Sequence, residues 1–332
     1  MIPLMLQPQS LQGLYELFAS EKASELLQWF PDISATEEGQ LVQYDTLKYG
    51  RDVAQINTRG GTPNPVKPPV RGTVIGHTIT MSEEIQIPNN VVKDLRAPGS
   101  MKPAAATSYV ATAMKQLRLR VGHRKALFAA QCLGTASGNL SFTLPGEAAV
   151  TTVSLNYLAT HQAIGSAWQT HTTDILANIR AAKVLVARDG GMPATDIVMN
   201  SITAGYLGIN DNILDLLNLA LRATLLEGGL PATICGLVPH VVDEVYVNDE
   251  TGAVTELIPD NHVAILAGDN NGRGMIETAP QSDKAPEGHR GMFFHVVEGP
   301  NINDGVTVQY ETNIFPLLAN PNGIVYDTTV AA

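Results

Sequence analysis

The sequence predicts a mixed α+β fold. Three observations carry this: one very long helix over Pro103–Gly134, a Pro-rich stretch between two strand-like segments early in the chain, and a series of short strands after Thr233. The long helix is the part around which the others are arranged. Pro103 suits a first helical turn, where its missing N–H has no partner to lose. Three alanines follow, and Ala, Met, Lys, Gln, Leu and Arg fill the interior, all good helix formers. Val110, Met114, Leu117, Val121, Ala126 and Phe128 recur at roughly helical spacing, and Gly134 is the stop. Such an element spans roughly 45 Å, whereas an ordinary helix has about 11–12 residues. It reads as a spine.

Upstream, Ser10–Phe30 reads as an amphipathic helix with Ser10 as its N-cap and Pro31 as its end. Leu41–Asn57 is strand-like, and Thr73–Ile87 is a second strand. Between them runs TRGGTPNPVKPPVRGT, Thr58–Thr73, whose prolines and glycines mark a long exposed tip. Together these make a two-stranded arm, which is marginal in water without another surface to lie on. Pro88–Leu95 reads as a short helix before the spine.

Downstream, Leu140–Leu144 and Ala149–Leu155 form a hairpin across Pro145-Gly146. Asp174–Arg188 is a second amphipathic helix, capped by Thr172 or Thr173 and closed by Gly190-Gly191. Asp196–Met199 is a buried strand, followed by helices over Ser201–Gly208 and Ile213–Leu226. Short strands are expected at Thr233–Val238, Val241–Val247, Ala253–Ile258 and Val263–Ala267, with late strands at Met292–Val297 and Val306–Ile314. The turn Asp249–Gly252 joins two of them.

The chain has 332 residues, enough for two domains, and its 44% hydrophobic and 16% charged residues exclude a disordered protein. Two cysteines, Cys132 and Cys235, do not make a disulfide framework or a metal cage. No apolar run is long enough to span a membrane, and MIPLMLQPQS lacks the features of a signal peptide. The formal charge is −11, yet Leu95–Gly146 contains no Asp or Glu while carrying Arg96, Lys102, Lys115, Arg118, Arg120, Arg124 and Lys125. A basic helix in an acidic protein can face a polyanion. No aromatics interleave these charges as single-strand binders require. The favoured reading is therefore a face that is solvated, or paired with acidic segments of its own or a neighbouring subunit.

No constellation forces an enzyme reading. There is no P-loop, no dinucleotide fingerprint and no Gly-x-Ser-x-Gly elbow. The eight histidines are scattered, and none forms a metal-binding pair. Asp243, Glu244, Asp249, Glu250 and Glu256 cluster in the late hairpins and read as solvated edges. Asp269–Gly272 reads as a turn. Cys132 and Cys235 read as buried, inert thiols. No catalytic residue, metal or cofactor is expected.

The order of these parts resembles the major capsid proteins of tailed bacteriophages, in particular the lambda-type capsid family with the Hong Kong 97 fold. Three stretches carry the resemblance. DILANIRAAKVLVARDGGMPATDIVMNSITAGYL, Asp174–Leu207, resembles the family's helix, break, strand and short helix. VVDEVYVNDETGAVTELIPDNHVAILAG, Val241–Gly268, has a Pro-Asp-Asn turn before an apolar strand. RKALFAAQCLGTASGNLSF resembles the end of the spine and its hairpin. The resemblance implies an N-terminal arm over residues 1–40 and an extended loop over 41–87. A peripheral domain covers 88–172 and 303–332 and includes the spine, 103–134; an axial domain covers 173–302.

It also implies the function: a non-enzymatic structural protein that self-assembles into the icosahedral shell of a phage head, as hexamers and pentamers around genomic double-stranded DNA. Portal, scaffolding and decoration proteins are implied partners, with the scaffold a separate protein. The implied location is the virion, assembled in the host cytoplasm. In the extended loop, Arg59, Pro63, Pro65, Lys67 and Arg71 are implied to touch a neighbouring subunit, and Arg118, Arg120, Arg124 and Lys125 to lie near inner-face DNA. The alternatives are an encapsulin-like compartment shell sharing the fold and a soluble α+β enzyme using the hairpin carboxylates.

Overall fold

The computed structural model describes residues 4–17, 23–34, 41–47, 71–96, 102–143, 150–216, 230–248, 252–268, 272–278, 293–298 and 305–330. They form two compact units. The first comprises Met1–Val42, Ile75–Ala126 and Gly274–Leu317, and the second Gln43–Val74, Leu127–Arg273 and Leu318–Ala332.

In the first unit the expected N-terminal helix is shorter than its apolar pattern suggests. Helix α1 covers Pro8–Leu17 and begins before Ser10, which therefore is not its cap. A separate 3-10 turn, Glu25–Gln28, follows, because the Ser24 side chain accepts from the Leu26 N–H and starts a new turn. Strand β1, Asp32–Ser34, pairs in parallel with β12, Arg273–Thr278. The strand expected over Thr73–Ile87 is divided at Thr78. Strand β3, Arg71–His77, pairs with β2, Leu41–Leu47, and most of this ribbon belongs to the second unit, which includes Gln43–Val74. Strand β4, Ile79–Ile87, instead runs antiparallel to β14, Val306–Leu318, from Ile87↔Val306 to Ile79↔Ile314. The division follows from the two halves bonding to different partners. Strand β13, Phe293–Glu298, also pairs with β14, completing a five-stranded sheet ordered β1-β12-β14-β13, with β4 joined to β14.

Helix α2, Asn89–Arg96, leads to the spine, α3, Lys102–Ala130, whose 29 residues are drawn on for about 44 Å of rod. Val110, Met114, Leu117 and Val121 form one buried stripe. They pack with Leu11 and Tyr15 of α1 and with Phe294, Val308 and Tyr310 of the sheet. Tyr15 stacks on Tyr310 at 5.8 Å and meets Phe294 edge-on at 5.7 Å.

The second unit holds the end of the spine. A π turn, Gln131–Thr135, closes it, with Gly134 at φ 92°, the left-handed conformation that glycine adopts freely. The hairpin of β5, Asn139–Thr143, and β6, Val150–Ser154, follows as expected. Helix α4, Ile175–Asp189, is capped by Asp174, which accepts from the Ala177 N–H at 2.9 Å, and not by Thr172 or Thr173. A carboxylate suits this place because the helix N-terminus also favours negative charge. Strand β7, Ala194–Met199, is followed by α5, Ser201–Ile209, and α6, Asp211–Leu216.

The strand expected at Thr233–Val238 is instead a tight turn closed by an Ile234–Leu237 bridge. Cys235 and Gly236 have φ of 51° and 74°, which strand geometry does not allow. Strand β8, Val238–Val241, begins only after it; β9, Val245–Val247, and β10, Val254–Glu256, form a separate two-stranded ribbon. Strand β11, Val263–Ala267, lies in the four-stranded sheet β15-β11-β7-β8, with β15 spanning Ile324–Asp327. Ile175, Ile179, Ala182 and Val186 of α4 bury against Ile197, Met199, Val263 and Ile265 of this sheet.

Candidate functional site

The basic face of the spine is the chemistry that composition singles out. Arg118 is half-buried. Its guanidinium lies 4.5 Å from the centre of the Tyr15 ring and donates to the Tyr15 carbonyl at 3.1 Å. Arg120 forms an ion pair with Glu83 at 2.8 Å across a shallow groove of about 420 Å³ lined by Ser82, Glu84, Gln116 and Leu117. Lys125 is buried. Its ammonium meets Asp32 of β1 at 2.8 Å and, more closely still, Glu277 of β12. Burial opposes its charge, but Glu277 and Asp32 outweigh that and hold its pKa above the ordinary value. Arg124 is exposed.

Three of the four charges named from the sequence are thus engaged within their own unit, and Arg124 is the one directed to solvent without an ion pair among the described residues. The acidic partners could not be found from spacing along the helix, because Asp32 and Glu277 are 93 and 152 residues away from Lys125. Of the extended-loop residues, Arg59, Pro63, Pro65 and Lys67 lie outside the described residues; Arg71 opens β3. The β2–β3 ribbon itself is present, with Thr73 donating to Asp45 at 3.1 Å.

Asp243 accepts from the Ser201 N–H at the start of α5 at 2.8 Å, and Glu256 is exposed on β10; Asp249 and Glu250 lie outside the described residues. His161 is buried between the Ile324 carbonyl and the Asp189 carboxylate, and His240 meets Asp196 at 2.8 Å. Among the described residues no three His, Cys, Asp or Glu side chains are placed to hold a metal. Burial pushes the Cys132 thiol up to about 12, so it stays protonated and unreactive. Cys235 is half-buried rather than buried, with its sulfur 3.8 Å from the Leu176 carbonyl. No helix among the described residues is long and apolar enough to cross a membrane.

The architecture has known counterparts. A protein of E. coli CFT073 described as a prophage capsid protein superposes with a TM-score of 0.65 at 14% identity, over 97% of this chain and 99% of that one. A phage-related protein of Bordetella bronchiseptica RB50 gives 0.56 at 12% identity, over 97% of each chain. The capsid of Cyanophage P-SCSP1u gives 0.51 at 11% identity, over 95% of this chain and 92% of that one. At these identities the likeness is one of fold, and that fold is the Hong Kong 97 type expected from the order of the elements. No curated protein matches the chain in sequence. The family model of phage major capsid protein E matches residues 26–328. The chain therefore belongs to the phage major capsid protein E family and is a shell-forming structural protein of the virion.

Proposed function

We propose that this capsid protein tiles the icosahedral head of a tailed phage as hexamers and pentamers and encloses its double-stranded DNA. The observation that carries this reading is the β2–β3 ribbon. It is a two-stranded sheet of its own, and the chain between its strands, residues 48–70, is rich in proline and glycine. A two-stranded ribbon is marginal in water alone; the base of this one is buried within its own chain at Val42, Thr46 and Val74, and on this reading a neighbouring copy meets the segment between the strands. On this reading Arg59, Pro63, Pro65, Lys67 and Arg71 touch that neighbour. Residues 1–40 form the N-arm and 41–87 the extended loop. The peripheral domain is 88–172 with 303–332, and the axial domain is 173–302.

Arg124 is the spine residue best suited to meet DNA phosphates, since Arg118, Arg120 and Lys125 are each occupied by a partner in their own unit. Contact of this kind is independent of base sequence and weakens with salt. Assembly takes place in the host cytoplasm, with portal, scaffolding and decoration proteins as partners.

Electron microscopy of the purified protein tests the reading. Icosahedral particles holding nuclease-resistant double-stranded DNA are expected from infected or induced cells. A folded monomer at every ionic strength would refute it, and particles filled with a cargo enzyme would support a compartment shell instead.

A further inference from the structure

We infer that the valine face of the β9–β10 ribbon in one copy packs on the outer face of helix α4 in the next copy around a ring of subunits. The inference rests on the shell-forming reading and adds the pair of surfaces that meet. In the ribbon, Val247 is opposite Val254 and Val245 is opposite Glu256. Cross-strand partners share a face, as do residues two apart along a strand. Val245, Val247, Val254 and Glu256 therefore lie together. The three valines are 51%, 58% and 66% exposed. The two strands pair only with each other among the described residues. A ribbon with an uncovered apolar face is not stable by itself in water.

Helix α4 presents a matching face. Its buried side is Ile175, Ile179, Ala182 and Val186. On the opposite side Ala177, Arg180, Ala181 and Val184 are exposed at helical spacing, with Val184 at 62%. A β-branched residue there gains nothing from water and is a weaker helix former than its alternatives. The alanines allow a strand to approach closely. Arg180 has no ion pair among the described residues, whereas Arg188, on the same side, is engaged by Asp189. Glu256 likewise has none, so the two surfaces match valine to valine and Glu256 to Arg180. A second copy is the occupant because both halves of the contact belong to one chain. Two different patches of one subunit that fit each other make a head-to-tail contact, the kind that closes into rings.

A charge swap tests this. Wild type, Glu256→Arg, Arg180→Glu and the double variant are compared by sedimentation and microscopy, with circular dichroism reporting the fold of the unassembled fraction. Each single variant is expected to keep its fold and lose about tenfold in particle yield, because like charges then face each other across a repeated contact. The double variant should recover most of the wild-type yield. Independently, Val254→Cys with Ala181→Cys in a Cys235→Ser background should give a ladder of disulfide-linked subunits in oxidised particles. A double variant no better than the singles, single variants that assemble normally, or a Val254→Cys that stays fully reactive to maleimide in intact particles would each overturn the inference. A wild type that forms no particles would instead strike the shell-forming reading beneath it.

Discussion

A Cβ added to Gly134 would lie 2.2 Å from the ring of Tyr326, closer than any real contact. The end of the spine thus has room for no side chain, because a tyrosine of β15 fills the space, and the backbone there is left-handed at φ 92°. Gly134→Ala is therefore expected to destabilise the protein by about 2–5 kcal/mol, combining backbone strain with overpacking. Gly13→Ala, inside α1 with nothing within 4 Å of the new methyl, should be neutral or stabilising by up to about 1 kcal/mol. Denaturant unfolding of the two variants beside the wild type measures the contrast.

Lys125→Met removes the buried cation shared by Asp32 and Glu277. Leaving buried carboxylates without their partner costs about 3–5 kcal/mol when both are fully enclosed. Here Asp32 is 56% exposed and Glu277 24%, so water re-solvates part of the charge. A loss of about 2 kcal/mol is the expected result by thermal or denaturant unfolding. A variant as stable as the wild type would show that the triad contributes nothing.

His262 is fully buried, and burial pushes its pKa down to about 4, with the Leu133 backbone and the Asp327 carboxylate pulling weakly the other way. The folded state disfavours the protonated ring. Stability from this group is present above the unfolded value near 6.5 and is lost as pH falls toward 4. The full loss is on the order of 3 kcal/mol. His262→Leu should flatten the decline in unfolding free energy between these pH values. Parallel pH curves for the two proteins would refute this assignment.

Arg124→Gln should weaken association of the unassembled subunit with double-stranded DNA and lower the salt slope of log K by about 1, the loss of one phosphate contact. Arg118→Gln should leave the slope unchanged, since that guanidinium is held on Tyr15. Fluorescence anisotropy across a salt series reads both. Equal slopes for wild type and Arg124→Gln would remove Arg124 from the DNA-facing set.

The spine shows why some of the fold was legible. Its start near Pro103, its stop at Gly134 and the stripe Val110, Met114, Leu117 and Val121 are all local signals, and the helix, its closing turn and its buried face follow them. Caps were less legible. Thr172, Thr173 and Asp174 are all competent N-caps, and the choice of Asp174 depends on where the first turn meets the core. The pairing of β1 with β12 carries no local signal: the three residues of β1 are too few for a period, and the ladder joins Asp32 to Met275 across the length of the chain.

By itself, the order of residues determined the α+β class, the rod and its ends, the hairpins and the capsid resemblance, since helix spacing, turn residues and element order are properties of neighbours along the chain. Only the tertiary structure decided which spine charges are already neutralised, that β4 leaves the arm to join β14, and that Cys235 lies in a turn rather than a strand. The reason is physical: charge pairing and strand pairing act through space between residues tens to hundreds of positions apart, and spacing along a helix or strand holds no record of them.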